Sequence, residues 1–173
     1  GRRAPLSALR PVLPLSMQLS HSDSTKLTDR YAADHRVLGI LLFGSMARGD
    51  VDRYSDIDLY ILTKTPLGKS REGFFLGSRR VDVIFDTIQQ VRSYFQQERC
   101  AVRRPVAHML AHSIPLLIRD YRVRRLRHEA LRALATKTRL TRKEILMHLY
   151  SIEDFWGEVR RYAKHPRDAV AFE

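Results

Sequence analysis

Two aspartates spaced two apart in the otherwise apolar segment "SDIDLYIL" constrain the fold of this chain more than any other feature. Side chains alternate between the faces of a β-strand, so Asp56 and Asp58 project from the same face. Leu59, Ile61 and Leu62 follow directly and predict a strand inside the core. Unpaired charges there would cost on the order of several kcal/mol. A bound cation therefore explains the pair better than the alternative, an exposed polar strand face.

The segment "VLGILLFGS" before these aspartates predicts a strand that is covered on both faces and ends at Gly44-Ser45. The following "MARGD" is long enough for about one turn of helix. Helix N-termini bind phosphate through backbone N–H groups and the helix dipole. Gly44 permits close approach of a ligand, and Ser45 adds a hydroxyl donor. These residues indicate a phosphate site beside the two carboxylates.

A third carboxylate lies on the next predicted core strand, "RRVDVIFDT". Asp82 is the first choice, because it lies within the apolar-flanked part of the strand. Asp86, four residues later on the same face, is the alternative. Carboxylates on adjacent strands suit divalent cations, which prefer oxygen ligands and bridge to phosphates. Two such ions can stabilise the attacking and leaving oxygens of an in-line displacement.

The combined pattern is Gly44-Ser45, ten residues, Asp56-x-Asp58 and then Asp82 on a later strand. It resembles the nucleotidyltransferase superfamily related to DNA polymerase beta. "FGSMARGDVDRYSDIDLYIL" is most similar to the minimal nucleotidyltransferases and to antibiotic nucleotidyltransferases such as the kanamycin enzyme. The motifs cover residues 37 to 86, and a looser likeness of layout extends to residue 120.

The resemblance implies a role for each matching residue. The β- and γ-phosphates of a nucleoside triphosphate, ATP in the first instance, would be held by Gly44 and Ser45 and neutralised by Arg48. Two Mg²⁺ ions would be bound by three aspartates: Asp56, Asp58 and Asp82. Asp82 would also accept the proton of the attacking hydroxyl group.

The remaining periodicity predicts an α+β fold. A small mixed β-sheet nucleotidyltransferase domain flanked by helices is expected at residues 21–119, and a C-terminal helical hairpin at residues 120–173. Residues 1–20 are interpreted as a disordered leader. The first helix should begin with a cap at Ser22 or Ser24 and end near Arg36. Edge strands are expected at "GFFLG" and "IPLLIRD".

Charge indicates an anionic partner. The chain has a net charge of +12, with one cysteine and no apolar run of the roughly 18 residues that a membrane span requires. A reducing, cytoplasmic setting without membrane association is therefore expected. Residues 119–143 hold ten basic and two acidic residues. Most of these basic residues are expected on a solvated helix face. A surface for RNA or for an acidic protein is the alternative.

The leading functional hypothesis is a Mg²⁺-dependent enzyme that transfers AMP from ATP to a hydroxyl of a small molecule or a protein and releases pyrophosphate. One alternative is a minimal nucleotidyltransferase antitoxin that adenylylates or binds a HEPN-type toxin. Another is a non-catalytic module that binds nucleic acid or protein. A homodimer or a helical partner protein is expected to associate through residues 120–173.

Overall fold

The computed structural model describes residues 19–51, 55–99, 101, 103–138 and 140–164. The chain divides into two compact units, of which the first ends at residue 137 and the second begins at residue 138. Most of the expected leader lies outside the described residues. Its last two residues belong to the fold, because Leu19 is buried and the Ser20 hydroxyl accepts a hydrogen bond from the backbone N–H of Asp23. The expectation of a cap at Ser22 or Ser24 was therefore wrong.

The described residues of the first unit form ten elements, in the order α1 (His21–Ala32), β1 (Val37–Phe43), α2 (Gly44–Arg48), β2 (Ile57–Thr63), β3 (Arg71–Leu76), β4 (Arg79–Thr87), α3 (Ile88–Glu98), α4 (Pro105–Ala111), β5 (Ile114–Ile118) and α5 (Tyr121–Ala135). The five strands form one sheet in the order β3-β4-β2-β1-β5. Among the described strands, β2 and β4 pair in parallel and the other three pairings are antiparallel. The predicted mixed α+β fold is confirmed, and both expected edge strands lie at the edges. The first helix ends at Ala32, about one turn before the predicted end.

Helices cover the sheet on both faces. Leu27 and Tyr31 of α1 pack in one core with the apolar side chains of β1, β2 and β4. Residues from α3, α4 and α5 form a second core against the other face, which includes Tyr60 and Leu62. The first six residues of β1 are buried, as expected for a strand covered on both faces. The central strands are therefore covered on both faces, whereas one face of β3 and the beginning of β4 remain exposed.

Helix α5 belongs to this first unit, whereas the sequence placed it after the boundary at residue 120. Its stripe of Val123, Leu126 and Ala130 is completely buried in the second core. This burial explains the difference, because the apolar side of α5 packs within the sheet unit.

The basic segment that begins at residue 119 has a mixed role. Arg119 donates a hydrogen bond of 2.6 Å to a carbonyl oxygen at the end of α1. Arg127 donates one of 2.7 Å to the carbonyl oxygen of Ser113, and burial lowers the pKa of its guanidinium. Arg124 and Arg132 are exposed. Part of the positive charge therefore stabilises the fold, and part faces solvent.

The second unit contains the long helix α6 (Arg142–Lys164). Its apolar residues follow steps of four and three, and they are exposed by between 36% and 56% of their surface: Ile145, Leu149, Ile152, Trp156 and Val159. The spacing is that of a coiled-coil seam. Among the described residues, no helix is long and apolar enough to span a membrane.

Close packing between β1 and α5 depends on Gly39. A Cβ atom at this position would lie 2.9 Å from both methyl groups of Val123 and 3.3 Å from the carbonyl oxygen of Leu117. Valine is stiff at χ1 and the carbonyl belongs to the paired strand β5, so neither can move away easily. The contact sets how near the helix approaches the sheet.

We expect Gly39→Ala to lower the free energy of unfolding by about 1–3 kcal/mol, as overpacked core substitutions do. Urea denaturation followed by circular dichroism measures this change. Adding Val123→Ala to the same variant should recover part of the loss, because it removes both colliding methyl groups. Equal stability of Gly39→Ala and wild type would show that the helix moves freely over β1.

Candidate active site

Parallel pairing of β2 and β4 places two of the predicted aspartates side by side. Asp58 and Asp82 are Cα partners in this ladder, and both side chains are half-buried. On the other side of β2, Asp58 is the Cα partner of Phe43, the last residue of β1, which immediately precedes Gly44. The end of β1, Asp58 and Asp82 therefore form one continuous row across the sheet.

Gly44 contacts Asp58 directly. Its φ is +72°, in the left-handed region that side chains other than glycine rarely adopt. A Cβ atom here would lie 2.0 Å from Asp58 Oδ2. Met46 and Ala47 are buried and anchor the short helix α2. Glycine is required both by the backbone conformation and by the closeness of the carboxylate.

The site concentrates negative charge. Burial raises the pKa of Asp58 above its usual value, and the charges of Asp82 and Asp56 raise it further, while Arg48 opposes them. Asp56 precedes β2 by one residue and is exposed. In the part of the chain that the structure describes, no three His, Cys, Asp or Glu side chains form a ready-made metal cluster. The fold thus brings Asp58 and Asp82 together, with Asp56 nearby at the solvent margin.

Two residues that the sequence did not single out contact Asp82. Arg80 Nε lies 3.1 Å from Asp82 Oδ1. Gly73 of β3 is the Cα partner of Asp82, and a Cβ atom there would lie 3.3 Å from the same oxygen. The Arg80-x-Asp82 spacing was a usable signal, since residues two apart share a strand face. Gly73 offered none, because its importance depends on which strand pairs with β4.

A cavity of about 440 Å³ opens over this row of residues. It is lined by Phe43, Asp58, Arg71, Glu72, Gly73, Arg80, Asp82, Val83, Ile84 and Met109. Its volume falls within the range of roughly 300–1,000 Å³ that is typical of small-molecule sites. The cavity extends from the end of β1 to the edge strand β3, with both central aspartates in its wall.

Asp86, the alternative third carboxylate, lies elsewhere. It is the Cα partner of Leu62, about 13 Å along the strand from Asp82. Its carboxylate accepts hydrogen bonds from the Tyr60 hydroxyl at 2.7 Å and the Tyr94 hydroxyl at 3.4 Å. Burial raises its pKa, and these two hydrogen bonds oppose that shift. Asp86 is therefore a satisfied core residue, and Asp82 is the carboxylate beside Asp58.

The model of one protein family, described as "Nucleotidyltransferase domain", matches residues 25–107, which include the whole row from Gly44 to Asp82. Residues 25–107 therefore resemble a nucleotidyltransferase domain. The match supports the family resemblance drawn from the Gly44-Ser45 turn and the aspartates.

A solved structure of a nucleotidyltransferase-like protein from Exiguobacterium sibiricum 255-15 is similar to this nucleotidyltransferase fold, with a TM-score of 0.50 and 16% sequence identity. The match covers 66% of this chain and 38% of that one. At this identity the likeness supports the fold. No curated protein is significantly similar to the chain in sequence.

The raised pKa of Asp58 predicts how stability depends on pH. The folded state binds this proton more tightly than the unfolded state, so ionisation of Asp58 destabilises the fold as pH rises through the folded-state pKa. Asp58→Asn removes the charge at nearly constant shape. In EDTA, which removes divalent cations, the Tm of Asp58→Asn at pH 7 should be higher than that of the wild type. This difference should disappear below about pH 3.8, the ordinary pKa of an aspartate, because Asp58 is then protonated in both states.

Thermal unfolding of both proteins between pH 3 and pH 8 measures this difference. Asp29→Asn, an exposed position on α1, is the matched control and should leave the Tm profile unchanged. A Tm for Asp58→Asn that is lower than wild type at pH 7 would contradict the proposed repulsion.

Proposed function

We propose that this domain catalyses Mg²⁺-dependent transfer of a nucleoside monophosphate from a nucleoside triphosphate, ATP in the first instance, to a hydroxyl group. The observation that carries the proposal is the pairing of Asp58 with Asp82 next to the left-handed Gly44. It combines carboxylate oxygens with a glycine turn at the start of a helix. Both are needed for handling a metal-bound phosphate.

The donor set fits divalent cations. Asp58 and Asp82 would hold Mg²⁺, and Asp56 would add its carboxylate from the segment before β2. All are oxygen ligands. Burial raises the pKa of Asp58, and the charges of Asp82 and Asp56 raise it further; a bound cation would offset that negative charge. When bound, the metal neutralises charge on the phosphates and on the oxygens that attack and leave.

The phosphates of the nucleotide would lie against Gly44 and Ser45. The first N–H groups of a helix have no acceptor within that helix and are available to phosphate oxygens. Arg48 ends α2, with its side chain 57% exposed and its Nε 3.7 Å from an Asp50 oxygen. An exposed ion pair of this kind is weak, so the guanidinium can exchange it for phosphate.

Asp82 would act as the base. It would accept the proton of the acceptor hydroxyl, whose oxygen bonds to the α-phosphorus while the bond to the bridging oxygen breaks and pyrophosphate leaves. Arg80 Nε lies 3.1 Å from Asp82 Oδ1, an exposed ion pair that contributes little to holding the carboxylate. Positioning and charge stabilisation supply most of the rate enhancement in such chemistry.

Calorimetric titration of Mg²⁺-ATP tests the nucleotide site. We expect Asp58→Asn and Asp82→Asn to weaken binding about tenfold or more, since each removes a charged ligand. Asp86→Asn is the control, because Asp86 lies away from the site and accepts a hydrogen bond from the Tyr60 hydroxyl. Parallel titrations with GTP, CTP and UTP identify the preferred base. Unchanged Mg²⁺-ATP binding by Asp58→Asn would contradict the proposal and favour a non-catalytic binding module.

A partner protein is a second candidate for the acceptor, and helix α6 supports it. The exposed seam on α6 fits another helix, belonging either to a second copy of the chain or to a helical protein of the HEPN type. A nucleotidyltransferase that pairs with such a protein could act as its antitoxin, by modification or by binding alone.

Association through α6 has a direct test. Ile152→Glu should shift any dimer to monomer, because burying one unpaired carboxylate in a helical seam costs several kcal/mol, on the order of the penalty for a buried charge. Light scattering after gel filtration measures the mass. Asp154→Arg, which changes charge off the seam, should leave the mass unaltered. A dimer that persists in Ile152→Glu would place the interface elsewhere.

A further inference from the structure

One aromatic ring and two guanidinium groups share a face of β3 and β4 beside Asp82. Phe75 is the Cα partner of Arg80, and Arg71 is the partner of Ile84, with the Gly73–Asp82 pair between them. Paired residues on adjacent strands project to the same side of a sheet. Phe75 is 71% exposed. The surface next to the carboxylates thus has Phe75 and Arg80 at one end and Arg71 at the other; below it is called the β3–β4 platform.

The β3–β4 platform has a net positive charge once a cation neutralises the two aspartates. Arg71 and Arg80 both line the cavity. The other acidic lining residue, Glu72, is already paired, at 2.7 Å with Arg30 and at 2.6 Å with Lys69. An acceptor with several amino groups, such as an aminoglycoside, would be repelled here. An acceptor that carries phosphate would be attracted.

Shape points to a planar group on the same acceptor. The exposed ring of Phe75 offers a flat apolar surface of the kind on which bases stack. Gly73 leaves the space above Asp82 open, since any side chain there would crowd the Oδ1 atom at 3.3 Å. An acceptor that placed its ring on Phe75 and its phosphate at Arg71 would therefore bring a hydroxyl group to Asp82, which lies between them.

We propose that the β3–β4 platform is the acceptor subsite, and that it takes an acceptor of nucleotide chemistry, with a planar base, a phosphate and a free hydroxyl. A free nucleotide and the terminus of an RNA strand share this chemistry. The inference rests on the proposed transfer reaction. The proposed acceptor subsite lies on the side of Asp82 toward the edge strand β3. The triphosphate is assigned to the β1 side, at Gly44, Ser45 and Arg48.

Binding tests the subsite without turnover. The probe is a fluorescein-labelled single-stranded RNA of twelve nucleotides, followed by anisotropy in Mg²⁺ buffer without nucleoside triphosphate. We expect Phe75→Ser and Arg71→Ala each to raise Kd about tenfold, in line with the loss of one stacked base or one phosphate contact. Competition by AMP would identify a free nucleotide as sufficient, and RNA binding that AMP cannot displace would identify a strand terminus.

Two controls match the charge lost in Arg71→Ala. The first is Arg79→Ala, because Arg79 lies next to Arg80 on β4 but projects to the opposite face. The second is Arg124→Ala, because Arg124 is exposed on α5. Both should change Kd by less than about twofold, in contrast to the roughly tenfold effect expected for a contact residue. Equal losses in all the arginine variants would indicate general attraction to a basic protein and would overturn the proposal. So would the absence of any binding of RNA or AMP.

Transfer from α-³²P-ATP separates this inference from the proposed function. Labelling of RNA or AMP that is lost in Phe75→Ser and in Asp58→Asn supports both. If the platform variants lose RNA binding but no label is transferred to any acceptor, the subsite stands and the transferase proposal fails. If Asp58→Asn loses Mg²⁺-ATP binding while the platform variants bind RNA normally, the subsite fails. Labelling of kanamycin but not of RNA or AMP would also contradict the proposal that the acceptor has nucleotide chemistry.

Discussion

In-register parallel pairing of β2 with β4 is the constraint on which the rest of the candidate site depends. It makes Asp58 and Asp82 direct neighbours, and the antiparallel pairing of β1 with β2 then brings Gly44 against Asp58. Slipping the β4 register by one residue would turn Asp82 to the other face and bury it. The apolar side chains in both cores oppose such a slip, so the hydrophobic effect positions the charged groups.

The geometry holds like charges close together at the end of a well-packed sheet. Asp58 is half-buried, lies near two other carboxylates, and touches Gly44, where a side chain cannot fit. Such an arrangement is unfavourable without compensation, and the surrounding fold supplies the stability to maintain it. Arg80 compensates Asp82 on one side, while Arg48 offsets part of the charge on Asp58. The cation of the proposed reaction would offset the negative charge that remains.

The two C-terminal helices have different physical roles, although both are amphipathic in sequence. The apolar stripe of α5 is buried completely against the sheet unit, and two of the neighbouring arginines bond to backbone carbonyls. The stripe of α6 stays exposed in the second unit. Amphipathic periodicity therefore indicates that a helix needs a partner surface, but it does not say whether that surface lies within the same unit.

The sequence by itself determined the local chemistry: the Gly44-Ser45 turn after an apolar strand, the carboxylates of Asp56, Asp58 and Asp82, and the α+β class. These follow from alternation and from the special backbone freedom of glycine, both of which are local properties. Only the tertiary structure decided that Asp82 lies beside Asp58 while Asp86 bonds to Tyr60, that Gly73 and Arg80 contact Asp82, and that α5 belongs to the sheet unit. These facts depend on strand order and register, which are set by contacts between residues far apart in the chain.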